Sequence, residues 1–311
     1  MPKYKYIYGP VPSRRLGLSL GVSPIPEKTC NYSCIYCQLG RTNKMTNKRA
    51  MFFDVADISK ELQAYLKKDI AFDAVTIVGE GEPTLYAGLG ELIGVIKRFT
   101  DKPVVVITNG SLLYDAEVRN NLNGADIVMP SLDAYDEQSF KKINRPCRSL
   151  RFEQVYNGLI EFSHTFQGSL WLEIMLVAGF NDSKEAIDRL QGLLGKMKYD
   201  KLYINTPVRP PAESYAKQVS AEVIDYAVNK LNGISIDKLV SSGFYSKIED
   251  DYEAVLSIIK RHPMNQFEIQ AFLESRNPKT AADMVNKLHQ DVNIDKIEYK
   301  NYITFRIKKG V

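Results

Sequence analysis

Residues Cys30–Cys37 read CNYSCIYC and place three cysteines at the spacing C-x3-C-x2-C, with Tyr36 directly before the last of them. Three thiolates can hold three irons of a cubane [4Fe–4S] cluster, whose usual complement is four cysteines. The fourth iron then has no protein ligand, so a small molecule can bind there and receive an electron. A zinc site that lacks its fourth ligand is the alternative interpretation of this spacing.

The composition is that of a globular protein. Of 311 residues, 44% are hydrophobic and 25% are charged, and the net charge of +4 is too small to indicate nucleic-acid binding by itself. Three of the four cysteines share one loop, which favours metal ligation in a reducing cytosol over a disulfide framework. No apolar run approaches the ~20 residues of a membrane span, and the N-terminus lacks a signal-peptide core. We therefore predict a cytoplasmic protein that does not enter membranes.

Short apolar runs alternate with amphipathic stretches along the first three quarters of the chain. Apolar strands separated by helices indicate βαβ units and a parallel sheet. Six such units predict an α/β fold with a partial (β/α)6 barrel, whose active site lies at the C-terminal ends of the strands, where the cysteine loop also falls. The predicted strands are Leu18–Val22, Ala74–Val78, Val104–Thr108, Ile127–Ser131, Leu172–Val177 and Lys201–Asn205.

The pattern changes after Leu239, which predicts a second, smaller unit. We predict a barrel over residues 1–240, a linker over 241–250 around Ser241-Ser242-Gly243, and a winged-helix-like domain over 251–311. Three helices followed by two strands is the winged-helix order. The last unit carries a net charge of only +2 between Asp251 and Val311, so packing or dimerisation is favoured over phosphate binding. Its predicted elements are Tyr252–Arg261, Gln266–Leu273, Thr280–His289, Ile294–Tyr299 and Tyr302–Ile307, the last two joined by Lys300-Asn301.

The cysteine loop resembles the signature of the radical S-adenosylmethionine (SAM) superfamily, and the resemblance covers roughly the first three quarters of the chain. It implies that Cys30, Cys34 and Cys37 hold a [4Fe–4S] cluster and that SAM binds the open iron through its amino and carboxylate groups. The reduced cluster then breaks a C–S bond of SAM, which yields a 5′-deoxyadenosyl radical. The resemblance further implies an electron donor of the flavodoxin or ferredoxin type.

The resemblance also implies SAM contacts at the ends of later strands. The turn GEGEPT, Gly79–Thr84, matches a Gly-Gly-Glu-Pro-like turn of the family, in which Glu82 accepts a hydrogen bond from the SAM ammonium. Glu80 departs from the small residue that is commoner there, and a tight turn alone also accounts for the glycines and proline. Among the implied SAM-binding residues, Ser131 and Asp133 contact the ribose and Arg145 contacts the carboxylate. The others are Tyr36, Gly81, Glu82, Pro83, Asn109 and Thr206.

Two proline-rich segments that contain arginine, Gly9–Gly17 and Pro207–Pro211, flank the predicted barrel mouth. With the polar residues at the strand ends they predict a site for an anionic or guanine-like ligand, although surface turns would have the same composition. None of His164, His262 and His289 lies near a predicted strand end, so we predict no histidine acid or base. The candidate substrate residues are Ser13, Arg14, Arg15, Glu80, Glu173, Asn205 and Arg209.

The opening GPVPSRRLG and the continuation CQLGRT at Cys37–Thr42 resemble a bacterial group related to wyosine-synthase-like radical SAM proteins. One activity that this resemblance implies is that of a queuine lyase, which breaks queuine to a smaller, preQ1-like 7-deazaguanine for salvage. A tRNA-base modification enzyme is the second interpretation, with the winged-helix-like unit holding RNA. A cluster-bearing redox regulator is the third, and the SAM-type turns argue against it because a sensor needs no ribose or ammonium site.

Cys147, the remaining cysteine, is predicted to be a packing residue.

Overall fold

The computed structural model describes residues 4–68, 71–236, 243–246, 248–299 and 302–308. The predicted break at Ser241-Ser242, the barrel boundary at residue 240 and the turn Lys300-Asn301 lie outside the described residues. The division into domains at these positions therefore stays a prediction.

The larger part of the chain is built on an eight-stranded sheet, whose strands lie side by side in chain order and leave out only the short separate pair Thr29–Cys30 and Lys44–Met45. The first two strands pair antiparallel, and every later pair in this sheet is parallel. Apolar strands joined by helices give this arrangement, so the predicted α/β class is confirmed. The strands, with a short separate pair β3-β4, are β1 (Ile7–Ser13), β2 (Gly17–Val22), β3 (Thr29–Cys30), β4 (Lys44–Met45), β5 (Ala74–Ile77), β6 (Val104–Thr108), β7 (Ile127–Pro130), β8 (Ser169–Met175), β9 (Lys201–Asn205) and β10 (Ile234–Ser235).

Amphipathic helices connect the parallel strands. In Leu89–Phe99 the buried residues Leu89, Leu92, Ile93 and Ile96 recur every three or four positions and face the sheet. Asp54 starts the first helix by accepting a hydrogen bond from the backbone N–H of Ala56. The helices of this part are α1 (Val55–Leu66), α2 (Leu89–Phe99), α3 (Ala116–Leu122), α4 (Glu137–Ile143), α5 (Phe152–Thr165), α6 (Lys184–Leu194) and α7 (Ala221–Leu231).

The C-terminal module, residues 251–299 and 302–308, has the order of elements that the sequence predicts. It adds one short strand that pairs with the last one, which gives a three-stranded sheet in the order β11-β13-β12. Its core residues, among them Ile258 and Phe272, form one apolar cluster with Tyr8 and Val11 of β1. The module therefore packs on the edge of the large sheet. Its elements are α8 (Asp251–Ile259), β11 (Met264–Asn265), α9 (Gln266–Arg276), α10 (Ala281–Gln290), β12 (Ile294–Tyr299) and β13 (Tyr302–Ile307).

Within the described ranges, none of the helices has the length and apolar character needed to cross a bilayer.

Candidate active site

The cysteine loop follows β3 and is held from one side by the segment after α4. The backbone N–H of Ile35 donates to the carbonyl of Ile143 (2.9 Å), and that of Ser33 donates to the carbonyl of Asn144 (3.0 Å). In return, the N–H of Cys147 donates to the carbonyl of Asn31 (2.8 Å). This ladder fixes the path of the loop before any ligand binds.

The turn after β5 holds the loop from the other side. The N–H of Glu82 donates to the carbonyl of Thr29 (3.1 Å), one residue before Cys30. A Cβ atom at Gly81 would lie 1.8 Å from the same carbonyl oxygen, so only glycine fits there. Close packing against Thr29 therefore explains a glycine at position 81, independently of the SAM contact that the resemblance implies.

The three cysteines line one cavity of about 190 Å³ together with several predicted SAM residues. Within the described ranges, no three metal-ligating side chains converge as they would on a single ion. A cubane does not require such convergence, because the cluster takes its cysteines at three separate corners. The predicted residues that line the cavity are Cys30, Cys34, Cys37, Tyr36, Gly81, Glu82, Asn109 and Ser131, together with Glu80 from the predicted substrate set. Pro83, Asp133, Arg145 and Thr206 are not among its lining residues.

Without a metal, burial favours the neutral form of the Cys30 and Cys34 thiols. Burial raises the pKa of Cys30 to about 12, and the carboxylate of Glu82 adds to the rise. Burial likewise raises the pKa of Cys34 well above its usual value. Amide donors nevertheless point at both sulfurs: Asn109 Nδ2 lies 3.7 Å from Cys30 Sγ, and Asn144 Nδ2 lies 3.6 Å from Cys34 Sγ. A metal keeps such thiols deprotonated, and the amides stabilise the remaining negative charge.

Glu82 is buried and accepts four hydrogen bonds from the protein. Its Oε1 receives the N–H of Thr84 (3.0 Å), the hydroxyl of Thr84 (2.6 Å) and the hydroxyl of Thr108 (2.5 Å), while Oε2 receives the N–H of Asn109 (2.7 Å). These bonds tie the end of β5 to the end of β6. A carboxylate has about four acceptor sites, two on each oxygen, so only Oε2 has one left for an ammonium group.

Asp133 is also buried, and its carboxylate faces protein donors. It receives the hydroxyl of Tyr36, Asn144 Nδ2 (2.8 Å) and the N–H of Met175 (2.9 Å). These contacts hold Tyr36 in the cavity wall, whereas the neighbouring Ser131 itself lines the cavity. A ribose contact by Asp133 stays a prediction, because its described partners are all protein groups.

Two other predicted SAM residues make contacts within the protein. Arg145 pairs with Glu213 (Nη1 to Oε1, 2.6 Å), and the Thr206 hydroxyl accepts the N–H of Val219 (3.1 Å). Arg41 binds the same glutamate through two nitrogens at 2.7 and 2.8 Å, and with Arg145 it lowers the pKa of Glu213 to about 2. Arg41 lines the cavity, although sequence reasoning did not single it out. It belongs to the CQLGRT stretch at Cys37–Thr42.

A second cavity of about 340 Å³ lies between the strand ends and the C-terminal module. It adjoins the cysteine cavity, because Leu39, Val78 and Ile107 line both. Arg15 pairs with Glu173 inside it, and burial lowers the pKa of Arg15 to about 10, so the guanidinium stays charged at neutral pH. Six of the seven predicted substrate residues line this cavity: Ser13, Arg14, Arg15, Glu173, Asn205 and Arg209.

The seventh, Glu80, lines the cysteine cavity rather than the second one, and it connects the sheet to the C-terminal module. Its carboxylate lies 3.3 Å from Lys260 Nζ and 3.4 Å from Arg261 Nε. Glu80 is buried, so these two cations compensate a charge that would otherwise be costly to bury. The residue therefore anchors the module beside the second cavity.

The prediction that no histidine lies near the site is wrong. His262 lines the second cavity, and Arg209 Nη2 lies 2.8 Å from its Nε2. Arg209 also binds Glu268 (3.1 Å), which lines the same cavity. His262 comes close because the C-terminal module packs on β1, and no local pattern in the sequence carries that information.

The chain belongs to the radical SAM superfamily, whose family model matches residues 25–190. Members of this superfamily use a [4Fe–4S] cluster and SAM, so the predicted cofactors are confirmed at that level. It is 34% identical over 309 residues to a UPF0026 protein of Methanocaldococcus jannaschii, covering 96% of this chain and 94% of that protein. It is 44% identical over 225 residues to a Brachyspira hyodysenteriae protein named GTPase Obg, covering 72% of this chain but only 33% of that relative.

The fold is similar to that of a solved structure of TYW1, a wyosine synthase, with a lysine-pyruvate adduct bound. The TM-score is 0.53 at 18% identity, over 69% of this chain and 72% of that one. At 18% identity, this similarity shows a shared fold and nothing more specific.

Proposed function

We propose that this radical SAM enzyme acts on a free 7-deazaguanine base in the second cavity, as a queuine lyase that releases a smaller 7-deazaguanine. The observation that carries the proposal is that the cysteine cavity and the cavity of about 340 Å³ adjoin through Leu39, Val78 and Ile107. When bound, the reduced cluster supplies the electron that cleaves SAM to a 5′-deoxyadenosyl radical, with a flavodoxin- or ferredoxin-type protein as the proposed donor. The chain must then hold a substrate C–H bond next to that radical.

Cys30, Cys34 and Cys37 are the proposed cluster ligands. Two anchored loops support this assignment, because the ladder after α4 and the turn at Gly81 fix the three cysteines at the wall of one cavity. Glu82, Ser131 and Arg41 line the same cavity and are available to orient SAM. Tyr36, fixed by Asp133, closes the wall and excludes water from the cluster side.

The second cavity offers an arrangement that suits the edge of a guanine-like base. Arg15 and Glu173 form an ion pair there, and Asn205 Nδ2 lies 3.5 Å from Glu173 Oε1. Such a base presents a carbonyl acceptor next to N–H donors. The carbonyl can accept from Arg15 while the N–H groups donate to Glu173. The volume of about 340 Å³ lies at the lower end of the range for small-molecule sites, which favours a base over a polymer.

Free queuine is expected to stimulate SAM cleavage by the anaerobically reconstituted enzyme and to be converted into a smaller 7-deazaguanine. The measurement is 5′-deoxyadenosine release with dithionite, with and without queuine, together with mass analysis of the base. Guanine is the matched control, because it shares the recognition edge but lacks the group to be removed. A cleavage rate that does not respond to queuine, and no change in queuine itself, would reject the lyase assignment.

The same assay with tRNA tests the second candidate, a tRNA-base modification enzyme. The likeness in fold to TYW1 favours this candidate. One observation argues against it. The C-terminal module forms one wall of the second cavity through Arg261, His262 and Glu268, so this face of the module is covered and does not offer a surface to RNA. Stimulation by tRNA in the absence of queuine would favour tRNA modification over the lyase.

Asn144→Leu is expected to lower the reduction potential of the cluster without emptying the site. An N–H donor to a ligand sulfur stabilises the more negative, reduced cluster, so its loss makes reduction harder. SAM cleavage should slow with dithionite and recover with a stronger reductant such as Ti(III) citrate. Asn181→Leu is the control, because Asn181 is a buried amide that donates to the carbonyls of Asp133 and Met175. Equal potentials in Asn144→Leu and the native enzyme would contradict the role given to this hydrogen bond.

A further inference from the structure

His262 is held in one tautomer by its neighbour. An arginine side chain can only donate, so the contact of 2.8 Å between Arg209 Nη2 and His262 Nε2 makes Nε2 the acceptor. The ring proton therefore resides on Nδ1. Arg209 is itself fixed, because its guanidinium also donates to Glu268 at 3.1 and 3.2 Å and to the carbonyl of Pro263.

The surroundings keep the ring neutral. Burial lowers the pKa of His262 well below its usual value, and the positive charges of Arg209 and Arg14 lower it further. Glu268 is the acidic group on the same side, and its charge is paired with Arg209. Phe244 lies against the ring at 5.4 Å between centroids. Within the described ranges, the imidazole has hydrogen-bond geometry to Arg209 alone, which leaves Nδ1–H for an occupant of the cavity.

We propose that His262 is a specificity-determining residue of the substrate cavity, whose Nδ1–H donates to a ring nitrogen or carbonyl oxygen of a planar heterocycle. This inference rests on the proposed function and deepens it. The C-terminal module then supplies part of the substrate site, a role that differs from nucleic-acid binding. It also gives a reason for the charge pairs of Glu80 and Arg209, which hold the module against the sheet.

The ion pairs within the second cavity indicate the chemical class of its occupant. Arg15 is paired with Glu173, and Arg209 is paired with Glu268. A phosphate or carboxylate would have to break one of these pairs, whereas a neutral donor such as His262 suits an uncharged acceptor. With Arg15 and Arg209 already paired, the neutral donor at His262 favours an uncharged base over its nucleotide as the occupant.

The kinetic test compares His262→Ala, His262→Asn and the control His289→Ala. The Asn amide nitrogen occupies about the position of Nδ1, so it can still donate, whereas Ala cannot. For queuine we expect His262→Ala to raise KM about tenfold with little change in kcat, because the variant loses one buried neutral hydrogen bond to the substrate. His262→Asn should recover most of that loss. His289 is exposed in the same module and lies outside the cavity, so its removal should change neither constant. Equal KM values for Ala and native enzyme would overturn the inference.

A measurement without turnover separates this inference from the proposed function. The ¹⁵N spectrum of histidine-labelled, cluster-loaded enzyme should show His262 as the neutral Nδ1–H tautomer from pH 6 to pH 8, values chosen around its ordinary pKa of ~6.5. Adding 7-deazaguanine should shift the Nδ1 resonance. Both results would support the inference even where queuine is not cleaved and the lyase assignment fails. An Nε2–H tautomer, an imidazolium, or an Nδ1 signal that 7-deazaguanine leaves unchanged would overturn it.

Discussion

Cys34→Ala is expected to remove both the iron–sulfur absorbance and all SAM cleavage. Two thiolates do not hold a cubane firmly, and the alanine methyl group at position 34 offers no ligand in place of the third thiolate. The measurements are iron and sulfide per chain, the visible absorbance, and 5′-deoxyadenosine release after anaerobic reconstitution. We expect the loss to be complete, because without the cluster nothing in the chain supplies the electron that breaks the C–S bond.

Cys147→Ala is the matched control for this experiment. Cys147 packs with Tyr32 and Phe140 in the same apolar cluster that Cys30 and Cys34 touch, yet it does not line the cysteine cavity. Its substitution should leave iron content and cleavage unchanged and cost only a small part of the stability. Activity in Cys34→Ala, or loss of the cluster in Cys147→Ala, would contradict the ligand assignment.

Several parallel strands were predictable because they are continuous apolar runs with buried residues on both faces, as in Ala74–Ile77 and Val104–Thr108. Val104–Thr108 and Lys201–Asn205 have the predicted bounds, and the other predicted strands differ by a few residues at their ends. The edge strand β1 was missed, since Pro10 and Pro12 make its sequence look like a turn. Proline is tolerated at a sheet edge, where one side of the strand needs no donors.

Within the candidate site, contiguous sequence motifs could be predicted, whereas contacts between residues far apart in the chain could not. The cysteine loop and the turn at Glu82 are contiguous motifs, so their approximate places follow from the strand order. Arg41 and Glu213 are 172 residues apart, and His262 is 53 residues from Arg209. Such pairs depend on how separate elements pack, and neither periodicity nor spacing encodes that.

Thr206 shows a related limit. Its position after a strand predicts a SAM contact, and that contact stays a prediction, because its hydroxyl accepts a backbone hydrogen bond inside the protein. A strand end fixes where a residue lies, and the rotamer and its neighbours decide which group it serves. The same limit applies to Arg145, whose guanidinium is directed to Glu213.

Gly81→Ala is expected to destabilise the fold strongly and to impair cluster assembly at the same time. The added Cβ would lie 1.8 Å from the carbonyl oxygen of Thr29 and 2.7 Å from Ile25 Cγ2, and neither the backbone nor the buried Ile25 can move away freely. Forced overpacking of this kind costs ~3 kcal/mol or more in the free energy of unfolding. Thr29 directly precedes Cys30, so the backbone shift that relieves the clash also displaces a proposed cluster ligand.

Denaturant unfolding and iron content per chain measure the two effects. Gly94→Ala is the control: Gly94 lies in α2, and an added Cβ there meets no atom within 4 Å. Because alanine is a better helix former than glycine, Gly94→Ala should stabilise the protein by ~0.5–1 kcal/mol and leave iron content unchanged. Native stability and full iron loading in Gly81→Ala would show that the turn and the cysteine loop are not in the close contact described. A stable Gly81→Ala protein with low iron would instead place the effect on the position of Cys30 alone, because the fold would then have absorbed the added methyl group by moving the loop.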